Sequence, residues 1–113
     1  MATIAPPSPT TTAFPTALVE ACLVAELTEA VRAFARIKGT PLPATPAQIR
    51  IMPVQIDSIV CVDILCAVEP VLGGIEVPET VVKAGGYGSI DSAVKNMLPR
   101  IEKEWKKRNG VTP

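Results

Sequence analysis

Apolar residues recur three and four positions apart along much of this chain, the spacing that lines side chains along one face of an α-helix. From Thr16 to Lys38, Leu23, Leu27, Val31 and Phe34 form one stripe, while Glu20, Glu26, Glu29, Arg32 and Arg36 fall mostly off it; Gly39 then supplies a stop. A middle segment opens on Asp57-Ser58, carries Ile59, Val62, Leu65, Val68 and Leu72 as its predicted buried face, and ends at Gly73-Gly74. Pro70 lies within it, removing the N–H that would bond the Cys66 carbonyl, so a kink or an early end is expected. Pro78-Glu79 starts a short third helix, Glu79 to Lys83, and Ala84-Gly85-Gly86-Tyr87-Gly88 reads as a flexible connection. The last helix is capped by Ser89, has Asp91 in its first turn, buries Ile90, Ala93, Val94, Met97 and Ile101, and meets Pro99, where a bend is expected before it continues through Arg108. Pro41, Pro43, Pro46 and Pro53 make Thr40 to Gln55 a long loop, with the chemistry of one short helical turn at Thr45-Pro46-Ala47-Gln48. Residues 1–15, rich in Pro, Thr and Ala, read as a disordered tail, and residues 109–113 as a short C-terminal one. The expected architecture is one all-α domain over residues 16–108.

The chemistry concentrates where the middle helix begins. Asp57 and Ser58 both have short oxygen-bearing side chains able to accept from the unpaired N–H groups of a first helical turn. A serine there has its hydroxyl outside the hydrogen-bonded ladder, beside N–H groups that tolerate negative charge, and so suits a phosphodiester. Judged alone, the pair reads better as a plain helix cap.

At these residues the chain resembles the acyl carrier protein family, whose second helix begins Asp-Ser-Leu; here the motif reads Asp57-Ser58-Ile59. The similarity continues through Val62-Asp63-Ile64 and Ala67-Val68-Glu69. It resumes at Gly74-Ile75-Glu76-Val77-Pro78-Glu79, and again at Ser89-Ile90-Asp91-Ser92-Ala93-Val94 where the last helix starts. The resemblance covers Ile56 to Leu98. It implies an acyl-carrier-like four-helix bundle with a short third helix and a long loop between helices I and II. It further implies a covalent 4'-phosphopantetheine on Ser58, with Asp57 beside it presenting acidic charge to a phosphopantetheinyl transferase. The role implied is carriage rather than catalysis, an acyl or aminoacyl thioester being passed among acyl-transferring or acyl-modifying enzymes of fatty acid, lipid or polyketide type biosynthesis. Ile59, Val62, Leu65, Val77, Val81 and Val82 are the implied lining of a groove for an apolar chain. Val60, Cys61, Asp63, Glu69, Glu76 and Glu79 are the implied recognition surface. Three departures stand out: no glycine precedes Asp57, where the residues are Val54-Gln55-Ile56; Val60-Cys61 occupies positions where many members are acidic or polar; and Pro70 falls where a helical residue is expected. A more apolar recognition helix suggests a specialised partner.

Composition narrows the alternatives. The 113 residues are 48% hydrophobic, enough for one modest core, and the net charge is zero. No Lys or Arg lies between Arg50 and Lys83, so the middle is acidic and suits partners with basic docking patches, although a solvated face explains it too. Cys22, Cys61 and Cys66 make three cysteines without Cys-x-x-Cys spacing, and there is no histidine. A disulfide framework, a metal site and a histidine-activated serine hydrolase are therefore disfavoured, and a reduced cytoplasmic setting is expected. Cys61 and Cys66 read as small core hydrophobes. No signal peptide is evident at the start, and Asp63, Glu69 and Pro70 interrupt the most apolar stretch, so no membrane span is expected. Gly85-Gly86 lacks the Gly-Lys-Ser/Thr ending of a phosphate loop. Lys103, Lys106, Lys107 and Arg108 around Trp105 are diluted by Glu102 and Glu104 and suit a helix C-terminus, so no nucleic-acid partner is expected; the chain is expected to be monomeric. From another class, an unmodified helical adaptor acting through helix II is the alternative to a carrier.

Overall fold

The computed structural model describes residues 13–109; the tail readings for residues 1–12 and 110–113 lie outside them. Four α-helices and two 3-10 turns make an all-α fold, with no strand among the described residues. The longest helix, α1, spans Thr16–Lys38 and ends at Gly39, whose φ of 67° is the left-handed conformation that glycine adopts without strain. Its buried face is Val19, Leu23, Leu27, Val31 and Ala35, and Phe34, expected on the core stripe, is instead 50% exposed. With 3.6 residues per turn, four-residue steps from Val19 lead to Ala35, and Phe34 falls back to the flank.

Within the proline-rich connection, α2 spans Pro46–Ile51; the Thr45 side chain accepts from the Gln48 N–H and Pro46 takes the first helical position. Ile49 anchors it in the core. Arg50 fastens it to two neighbours, its Nη2 lying 3.3 Å from Glu20 of α1 and its Nε 3.0 Å from Asp91.

The middle helix, α3, spans Ser58–Val68 and passes into a 3-10 turn, Glu69–Leu72, at Pro70. Its inward face is Cys61, Ile64, Leu65 and Val68; of the expected stripe Leu65, Val68 and Leu72 are buried, whereas Val62 is half-buried and Ile59 is 77% exposed. Asp63 decides this: Ile59 lies one turn before it on the same face, and keeping the carboxylate in water carries Ile59 outward. A second 3-10 turn, Glu79–Val81, is shorter than the helix to Lys83 expected there.

The last helix, α4, spans Ile90–Arg108 with the Ser89 hydroxyl accepting from the Ser92 N–H, and it remains one helix through an exposed Pro99. Its apolar face, from Ile90 to Trp105, packs on α1, which also packs on α3. Phe14, expected in the tail, is buried, its ring meeting Trp105 edge-on at 5.7 Å. No described residue in the core is polar or charged.

Candidate functional site

Ser58 stands at the first position of α3, and the chain leading to it is fixed from a distance. The Val54 N–H donates to the Gly88 carbonyl, and Ile56 and Tyr87 exchange both backbone bonds at 2.8 and 2.9 Å. The Gln55 side-chain amide adds a bond to the Gly85 carbonyl. Gly86 allows the approach: its φ is +80°, and a Cβ built there would lie 1.9 Å from the Ile56 oxygen. Tyr87 locks the loop from below, its buried hydroxyl accepting from the Lys83 N–H at 2.9 Å and donating to Asn96 Oδ1 at 2.7 Å. Burial raises the Tyr87 phenol above its ordinary pKa, although the Lys83 N–H bond opposes the shift. The glycine run expected to be a flexible connection is thus a clamp. The pattern around it carried no sign of this, because its partner lies some thirty residues away.

Asp57 is the N-cap residue, with φ −70° and ψ 155°, yet its side chain makes no capping hydrogen bond. The expected cap is therefore absent, and the Asp57 carboxylate is exposed beside Ser58. Ser58 is half-buried at the edge of a cleft of about 340 Å³, lined also by Ile59, Val62, Asp63, Glu79, Val82 and Ala84. Of the six expected groove residues, Ile59, Val62 and Val82 line this cleft. Leu65, Val77 and Val81 instead belong to the core, at 2%, 6% and 3% exposure, because the inner face of α3 and the second 3-10 turn close on the bundle.

Among the expected recognition residues, Asp63 and Glu79 stand on the cleft walls and Glu76 is exposed. Glu69 is half-buried and accepts from the Val77 N–H at 3.0 Å, folding back the turn after α3. Val60 turns toward α1, bordering a small hollow with Phe34. Cys61 corrects the expected surface: its side chain has no exposure and points into the core, where burial and then the charge of Asp57 push its thiol up to about 11. Such a thiol is a packing group, not a nucleophile.

No family model, curated protein or solved structure matches this chain. Any function therefore rests on the residues and their geometry. Among the described residues no cluster of His, Cys, Asp and Glu is arranged to hold a metal ion, and no helix is long and apolar enough to cross a membrane. At the basic end of α4, Lys106 pairs with Glu102 at 3.2 Å, Lys107 pairs with Glu104 at 3.4 Å, Trp105 is buried, and Lys103 and Arg108 are exposed. A wide, shallow hollow of about 650 Å³ between α1 and α2 has Ala17, Ala21 and Ala25 on its wall, and lies away from Ser58.

Proposed function

We propose that this protein is a carrier, holding an acyl or aminoacyl group as a thioester on a 4'-phosphopantetheine arm joined to Ser58. The observation that carries the reading is the place of that hydroxyl, half-exposed on the first residue of α3 at the edge of a cleft of about 340 Å³. The order of elements supports it as well: a long helix, a long connection, a helix starting at the serine, a short turn and a last helix, as the resemblance to acyl carrier proteins implies.

The residues present fit the group. With no side-chain cap on α3, the first-turn N–H groups are free to face a phosphodiester, an interaction worth about 0.3–1 kcal/mol at a surface helix end. In the loading step the Ser58 oxygen would form a bond to the phosphorus of coenzyme A that carries the pantetheine, the P–O–P bond would break with adenosine 3',5'-bisphosphate leaving, and the serine proton would pass to a base of the transferase. The arm supplies a long, mobile thiol. The chain itself supplies the anchor, the rigid clamp behind it, and a carboxylate face of Asp57, Asp63, Glu76 and Glu79 that suits basic docking patches on a transferase and on acyl-handling enzymes.

Intact mass after incubation with coenzyme A and a broad-specificity transferase tests this. One arm's added mass on the parent, absent in Ser58→Ala, is the expected result; a parent protein that stays bare overturns it. A second reading, an unmodified adaptor that docks through α3, draws on Ile59 at 77% exposure. It expects the bare protein in that same measurement.

A further inference from the structure

Beside Ser58, on the α1 side, runs a groove that the carrier reading leaves unused. Two hollows, of about 170 and about 50 Å³, meet at Val31, Phe34 and Val54. Leu42 and Met52 line the outer one; Ile56 and Val60 line the inner one, which ends at Asp57, next to the anchor. Phe34 is 50% exposed between them, although Val31 and Ala35 on either side of it are buried. Burying apolar surface is favourable in proportion to the area removed from water, so a half-bare ring in an apolar groove rewards whatever covers it. Over the ring lies the Lys38 ammonium, 5.3 Å from its centroid, an exposed cation–π contact of the weak kind.

We propose that the acyl group on the arm settles in this Phe34 groove rather than in the cleft of Ile59, Val62 and Val82, and that the groove favours compact acyl groups of hexanoyl or benzoyl size. The proposal rests on the carrier reading. Charge separates the two sites: the cleft has the carboxylates of Asp63 and Glu79 on its walls, which an apolar group would strip of water at a cost, while the Phe34 groove has one carboxylate, Asp57, at its inner end and its outer hollow is mainly aliphatic with Lys38 at the rim. Size sets the class, since an apolar cavity of about 150 Å³ holds one benzene and the outer hollow is about 170 Å³. A long alkyl chain overfills it.

The full chain, loaded by a broad-specificity transferase from coenzyme A, hexanoyl-, benzoyl- or palmitoyl-coenzyme A and checked by intact mass, is compared by methyl and aromatic NMR. Relative to the arm alone, hexanoyl and benzoyl loading is expected to shift Val31, Val54, Val60 and Phe34 resonances at least twofold more than those of Ile59, Val62 and Val82. In Phe34→Ala, folded by circular dichroism, the shifts at Val31 and Val54 are expected to fall at least twofold. Loaded protein whose shifts fall on Ile59, Val62 and Val82, or on neither set, overturns the proposal while the carrier reading stands. Palmitoyl shifts at Val31 and Val54 as large as the hexanoyl ones overturn the size preference. No added mass overturns both readings together.

Discussion

Cys61 shows how one side chain ties the site to the core. It sits on the first turn of α3, three residues after Ser58, and its thiol is pushed up to about 11 by burial first and by the Asp57 carboxylate second. In the unfolded chain a thiol ionises near 8.5, so the folded state holds its proton through a window in which the unfolded state has lost it. The stabilisation is whole below the unfolded value and is lost as pH rises toward about 11, at up to about 1.4 kcal/mol per pH unit. Urea unfolding between pH 8 and 10.5 is expected to show this fall, and Cys61→Ala, less stable at pH 8, is expected to flatten it. The buried phenol of Tyr87 adds loss in the same direction at higher pH, and the Cys61 charge is one of the causes that raise it, so the difference between the two proteins reports the thiol together with its coupling to Tyr87. In the sequence, Ser58 was legible from its polar step into an apolar run, whereas the direction of Cys61 was not. Ile59 to Leu65 is apolar except for Asp63, so several stripes fit it, and the water kept around Asp63 together with packing against α1 selects one.

At the scale of elements, the two long helices were legible, while the short third one and the loop that clamps α3 were not. Helix α1 begins at Thr16 and ends at Lys38, and α4 runs from Ile90 to Arg108, both as their periodicity and end residues predict, because caps and stripes are local properties. The clamp between Val54–Ile56 and Gly86–Gly88 is a long-range pairing, and a glycine run says only that unusual backbone is allowed. Gly86→Ala tests how much α3 depends on the clamp. The new methyl would need the space of the Ile56 carbonyl, in a conformation strained for any L side chain, so the Ile56–Tyr87 pairing must open. The expected cost is about 3 kcal/mol, from backbone strain together with lost hydrogen bonds. Amide exchange at Ile56 and Tyr87 is expected to accelerate at least tenfold; unchanged exchange would show that the pairing does not hold the segment before Ser58.

Across the whole molecule, the two ends of the described chain meet. An aromatic residue in a stretch dominated by Pro, Thr and Ala gives no period from which burial could be inferred, so Phe14 reads as tail; its partner lies at the far end of α4. The contact bears on the site because α1 packs against both α3 and α4, and Phe14 with Trp105 closes the end where α1 starts and α4 finishes. Trp105 is also the single tryptophan, which makes the contact directly measurable. Edge-on aromatic pairs are worth about 0.5–1.5 kcal/mol beyond the area they bury, and truncating a buried phenylalanine adds the loss of that burial. Phe14→Ala is therefore expected to lower stability by about 2 kcal/mol and to shift Trp105 emission to the red. Because the clamp at Ile56 and Tyr87 lies elsewhere in the bundle, amide exchange there should follow only the global loss of stability, in contrast to the local opening expected of Gly86→Ala. An emission maximum unchanged in Phe14→Ala would mean that the ring does not shield Trp105 in solution, and the domain would then begin at Thr16 as its pattern first suggests.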